Sequence, residues 1–174
     1  GPGPLDTYEL TPPSISSTTP RRSRTQVLVA EPTALRALDG ENIVVRTAPA
    51  SIEYLRGAQW ADRLPRMVQA RMVDELQATG RLGGVGRPGD GLAIDFQIVS
   101  DIRAFEVRVY GQRRATIEMS VRILNDRNGV VRASRVFQVE VPVASPGNDA
   151  YVAALDAAHR ELASQLVPWV LGAI

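Results

Sequence analysis

Among its 174 residues the chain has no cysteine, no lysine and a single histidine. The missing cysteines exclude disulfides and thiolate metal sites. A lone His159 excludes a multi-histidine metal centre. With no lysine, all 20 basic residues are arginine, a bias of composition rather than a binding signal; set against 19 acidic residues they leave a net charge of +1. That balance carries no nucleic-acid footprint. Aromatic residues make up 5%. No apolar run approaches the ~20 residues that a membrane-spanning helix needs. What is present is ordinary for a globular protein: 44% hydrophobic and 22% charged residues, in a length that suits one domain burying roughly 70% of its unfolded surface.

The first 24 residues are rich in Pro, Ser, Thr and Gly, interrupted by Tyr8-Glu9-Leu10. Gly1-Pro2 reads as the remnant of a cleaved tag, so native sequence is expected upstream. A short edge strand is expected over Asp6 to Leu10, then a linker over Thr11 to Arg24, because Pro12, Pro13 and Pro20 cannot donate to a sheet ladder. Residues 25–174 then form a single domain. Gln26 to Ala30 is the first core strand, followed by a helical turn over Thr33 to Leu38 and strands at Asn42 to Arg46 and Ile52 to Leu55.

Asp62 to Thr79 carries Leu64, Met67, Val68, Met72, Val73 and Leu76 at spacings of three and four, the pattern of an amphipathic helix. Asp62 is expected to cap it, with Pro65 tolerated in its first turn and Gly80 closing it. Beyond Leu92 the apolar period becomes two. Leu92, Ile94, Phe96, Ile98 and Ile102 share one parity and Phe105, Val107 and Val109 the other, which predicts a bulge near Arg103-Ala104. Two further strands follow: Ala115 to Ile123, and Val131 to Val143 after the hairpin signal Asn128-Gly129. Their opposite face, with Asp95, Gln97, Arg114, Glu118, Arg122, Arg132 and Gln138, is expected to meet water. A last helix runs from Asp149 as its cap to about Leu171, with Tyr151, Leu155, Leu162 and Leu166 buried and Pro168 bending or ending its final turn. The expected fold is α+β, a mostly antiparallel sheet with two long helices packed on one face.

No catalytic constellation emerges. Gly83-Gly84-Val85-Gly86 is the one glycine-rich stretch, but phosphate-binding loops follow a strand and open a helix, whereas this one follows a helix and precedes a strand. His159 lies near a helix stripe and reads as a packed residue rather than a base. Asp95 and Glu118 could neighbour each other across strands; alternation with Arg114 and Arg122 makes them solvated charge pairs instead. No catalytic residue, metal or cofactor is expected.

Several segments, in order, resemble the ABC-type transport auxiliary lipoprotein family, the PqiC-like components of MCE (mammalian-cell-entry) lipid-transport systems. They are Tyr8-Glu9-Leu10 with its prolines, Val27-Leu28-Val29, Leu38-Asp39-Gly40-Glu41-Asn42-Ile43-Val44-Val45-Arg46, Tyr54, Trp60-Ala61-Asp62-Arg63-Leu64-Pro65, and the final helix after Asn148-Asp149. The resemblance implies a periplasmic lipoprotein of a Gram-negative bacterium, anchored in the outer or inner membrane by an N-terminal lipid on a cysteine preceding Gly3. Its implied partners are an MCE-domain protein and an ABC permease and ATPase. Tyr8, Tyr54 and Trp60 are candidates for structural or partner contact, and the sheet face with Arg114, Arg122 and Arg132 is a candidate docking surface. Self-association through sheet edges is a further expectation. The alternative function is a carrier holding lipid or another small hydrophobe between helices and sheet.

Overall fold

A computed structural model describes residues 4–14 and 23–174. The expected tag remnant at Gly1-Pro2 and most of the expected linker, residues 15–22, lie outside them. The elements in chain order are β1 (Asp6–Tyr8), β2 (Gln26–Val29), β3 (Thr33–Ala34), β4 (Val44–Ala48), β5 (Ser51–Tyr54), β6 (Ala58–Trp60), α1 (Leu64–Ala78), β7 (Gly84–Gly86), β8 (Phe96–Arg108), β9 (Arg114–Asn125), β10 (Val131–Pro142) and α2 (Asn148–Ala173).

Alternating apolar residues in β8, β9 and β10 bury Ile98, Ile102, Phe105, Val107, Ile117, Met119, Val121, Ile123, Phe137 and Val139 on one side of an antiparallel meander. Both helices cover that side, and their stripes join one core with β2. The bulge is where the phase change places it: the β8–β9 register slips between Ile102 and Ala104, returning Phe105 and Val107 to the helix side. The sheet is mostly antiparallel, as expected, but not purely so, because β2, β3 and β4 pair parallel with successive parts of β8. β5 folds back antiparallel on β4, while β7 adds parallel to β2.

Several local expectations are corrected. Thr33-Ala34 is a strand, and a turn occupies only residues 36–38. The long strand starts at Phe96, leaving Leu92 exposed in the loop before it. The glycine-rich stretch holds β7. A Cβ on Gly83 would lie 2.8 Å from the backbone of Arg24, so the absent side chain lets the two backbones approach. A second bulge, at Arg132, turns Val131 away from the side of Ala133. Asp62 does not cap α1: its carboxylate accepts the Arg63 amide at 2.7 Å and pairs with Arg66 at 3.0 Å. The first helical amide, Leu64, donates instead to the Gly40 carbonyl. Gly147, not Asp149, is the N-cap of α2, and Asp149 lies in the first turn. Pro168 does not end that helix, because Trp169 packs edge-on against Phe137 at 5.4 Å and Val170 is fully buried, holding the last turn down.

β1 pairs in parallel with β6, forming a separate two-stranded sheet. From there residues 8–11 run as a strap along α2. The Tyr8 hydroxyl donates to Asp149, the Thr11 amide and hydroxyl each donate to Asp156 at 2.8 Å, and Arg71 on α1 donates to the Leu10 carbonyl at 2.6 Å. Leu10 is fully buried. The bond to Asp149 pushes the Tyr8 phenol up to about 12.

Candidate docking surface

The helix-free side of the sheet is built by register. Glu106, Thr116 and Glu140 stand in one row across β8, β9 and β10, with Val44 and Tyr54 continuing it through β4 and β5. The adjacent row contains Ile52, Arg46, Arg108 and Arg114. Neighbouring strands lie about 4.8 Å apart, so three arginines stand directly side by side, an arrangement that costs stability unless anions offset it. Glu106 does so. It is only 2% exposed, and its carboxylate accepts Arg46 at 2.6 Å and Arg108 at 2.9 Å. Glu140 lies 3.5 Å from Arg114, whose guanidinium also donates to the Tyr110 and Gln112 carbonyls and sits over the Tyr110 ring. The Thr116 hydroxyl beside Glu106 is buried with no protein partner.

Removing one member of a buried ion pair leaves an uncompensated charge. Glu106→Ala is therefore expected to destabilise the fold by about 2 kcal/mol, below the full buried-pair value of about 3–5 kcal/mol because both arginines reach solvent. Urea denaturation with an unchanged slope would show it as a lower midpoint.

The residues singled out from the sequence do not converge. Tyr8 is the half-buried clasp of the strap. Trp60 is 1% exposed and meets Phe105 edge-on at 5.9 Å, so it is a core residue and offers no surface. Tyr54 is 48% exposed on β5. Arg114 and Arg122 share the bare face but lie eight residues apart along β9, about 27 Å at strand rise. Arg132, placed on that face by alternation, instead occupies the second bulge; it donates to the Ala173 carbonyl at 2.7 Å and lies over Phe96. Asp95 precedes β8 and accepts the Gln26 amide at 2.9 Å, while Glu118 stands opposite Ala104 and Gln138; the two acids are not neighbours, and Arg114 pairs with Glu140 rather than with either.

Sequence reasoning missed the Arg46–Glu106–Arg108 cluster and the strap. A signal for the first exists in Glu106-Val107-Arg108, where charges alternate with a core valine, but its partner Arg46 lies 60 residues away. His159 is a packed residue as expected: it is 3% exposed, lies against Phe105, and has its Nδ1 3.8 Å from Glu75. Burial lowers its pKa to about 4 and raises that of Glu75 to about 8. Both groups are therefore mostly neutral near pH 7. Among the described residues no cluster of His, Cys, Asp or Glu could hold a metal ion, and no helix is long and apolar enough to cross a membrane.

Residues 8–167 match the family model for the ABC-type transport auxiliary lipoprotein component. The chain belongs to that family. The match starts at the clasp residue Tyr8 and runs almost to the end of α2, so strap, sheet and helices all belong to the auxiliary-lipoprotein unit. An uncharacterized protein of Bradyrhizobium diazoefficiens is 31% identical over 171 residues, covering 97% of this chain and 45% of its own length; the chain thus spans about half of that relative. A crystal structure of a Xanthomonas campestris protein superposes with a TM-score of 0.87 at 29% identity, over 96% of this chain and 95% of that one. The PelC dodecamer of Paraburkholderia phytofirmans shares the fold alone, with a TM-score of 0.53 and 13% identity over 87% of this chain and 92% of PelC.

Proposed function

We propose that this auxiliary lipoprotein is a non-enzymatic periplasmic subunit of an ABC-type lipid transporter, docking the MCE component to the membrane that holds its N-terminal lipid. The observation that carries this reading is the family match from Tyr8 to residue 167. The strap supports it: a segment fixed to both helices by Arg71, Asp149 and Asp156 transmits a tether at the N-terminus to the whole domain rather than to a loose tail. The bare sheet face and the strands β5 and β10 supply surface for partner chains. An unpaired strand edge also suits self-association, and the dodecameric PelC shares this fold. The outer membrane is the anchoring side we favour.

Crosslinking the native-length protein in its own host, followed by mass spectrometry of what co-purifies, tests the reading. Recovery of an MCE-domain protein or a permease is the expected result. Recovery of the protein alone, with phospholipid in its organic extract, would replace the docking role with that of a lipid carrier.

A further inference from the structure

The arginine row lies at one end of the domain, and three separate features meet there. The first is charge. Arg46, Arg108 and Arg114 stand side by side with side chains about a quarter exposed. Arg113, in the turn before β9, is exposed at the same end but on the other side of the sheet, with Val45 and Val109, and does not belong to the row. Facing these three cations in the same two rows are two carboxylates, Glu106 and Glu140, so the patch keeps an excess of one positive charge. The second is apolar exposure. Ile52 continues the arginine row and is 37% exposed, and Tyr54 continues the neighbouring one. These two side chains extend a charged patch with an aliphatic group and an aromatic group on a strand whose residues are all exposed.

The third feature is direction. The Asp6 amide donates to the Gly57 carbonyl and Tyr8 to Asp149 in the first turn of α2, while Thr11 reaches Asp156 one step deeper. The segment therefore enters from the end where α2 begins. The Val143 amide, just before α2, donates to the Arg113 carbonyl, which puts the β8–β9 turn at that same end. The described N-terminal segment thus begins at the end that displays the arginine row.

We propose that this end of the bare sheet face rests on a lipid surface, with the arginine row against anionic headgroups and Ile52 and Tyr54 at headgroup depth. Arginine is drawn to membrane phosphates, and tyrosine is enriched at the membrane–water boundary because its ring is apolar and its hydroxyl is wet. A contact of this size is weak alone. On a tethered domain it acts at high effective concentration and sets orientation rather than affinity. The contact does not depend on which protein the domain docks, so it stands or falls apart from the MCE reading.

The test is sedimentation of the lipid-free protein with vesicles of three parts phosphatidylcholine to one part phosphatidylglycerol, and with phosphatidylcholine alone. The expected result is binding to the mixed vesicles that weakens several-fold at high salt, as screened surface charge requires. Ile52→Glu should lower the bound-to-free ratio about tenfold, and Tyr54→Glu should lower it comparably on the mixed vesicles. Both positions are exposed, and a thermal melt of each variant checks that the fold is retained. Val136→Glu, about 20 Å along β10 from the arginine row, should leave binding unchanged. Absence of binding to either vesicle type would overturn the proposal. So would binding indifferent to Ile52→Glu and Tyr54→Glu, or equal loss with Val136→Glu.

Discussion

Trp60→Ala should lower stability by about 3–5 kcal/mol, the range for truncating a buried aromatic side chain. The indole is almost wholly buried, seated edge-on to Phe105, which in turn lies against the His159 ring on α2. Removing it opens a void where the two-stranded sheet, the main sheet and α2 converge. None of these can collapse into it freely, because β6 is held to β1 by pairing and the Trp60 amide donates to Glu41 at 2.7 Å. For a domain of this size each kcal/mol moves the melting temperature by about 2–4 °C, so a fall of roughly 6–20 °C is expected in calorimetry. A melt unchanged within a degree would mean that the indole is not part of the core. Vesicle binding at a temperature where the variant remains folded should survive, since Trp60 offers no surface.

Glu75→Gln should stabilise the protein at alkaline pH and leave it nearly unchanged in acid. Burial, aided by the neighbouring Asp74 charge, raises the Glu75 pKa from 4.5 to about 8. The folded state therefore holds this proton more tightly than the unfolded chain does. Stability from this group is fully present below about pH 4.5, declines as pH rises, and is lost by about pH 8. His159 works on the other side. Its pKa is lowered by burial to about 4, so its contribution is lost as pH falls from about 6.5 toward 4. Between about pH 4.5 and 6.5 the two slopes oppose each other and flatten the wild-type profile, and above that the Glu75 slope stands alone. Glutamine removes one of them.

A tenfold change in proton affinity is worth about 1.4 kcal/mol. The Glu75 side chain is 10% exposed, which leaves water some access to the carboxylate. The expected gap between variant and wild type is about 3 kcal/mol at pH 9, closing toward zero near pH 4.5. Urea midpoints measured across that range would show it. A constant gap at every pH would mean that the amide acts through packing, not through the proton.

Side-chain periodicity made the meander, both helices and even the bulge legible, because Ile102 and Phe105 can share a face only if one residue is extra. Where a strand carries no periodic side chains it was invisible: β7 is Gly-Val-Gly, and only its parallel partner β2 makes it a strand. The helical reading of Thr33 to Leu38 failed for a related reason. Two residues of that segment are captured by β8, a partner some 68 positions away. Parallel pairing has no local turn to announce it, so the mixed character of the sheet could not be read from neighbours. The candidate surface suffered most. Arg114 was legible as an exposed strand residue, but its companions Arg46 and Arg108 become neighbours only through the β4–β8 and β8–β9 registers. Arg132 was misplaced because a second bulge breaks an alternation that the sequence continues without interruption.

β8 serves as the common parallel partner of β2, β3 and β4 and is what joins them to the meander. A chain that emerges from its amino terminus delivers those strands well before β8 exists. The early third can form only its own pairings, such as β4 with β5, until residues 96–108 arrive, while β8, β9 and β10 can zip locally through their tight connections. Distant pairings of this kind slow folding and lengthen exposure to wrong partners. α2, the last element to appear, then supplies Asp149 and Asp156, the groups that clasp the first strand. The first strand of this domain is locked by its last helix, and maturation waits until that helix has been delivered.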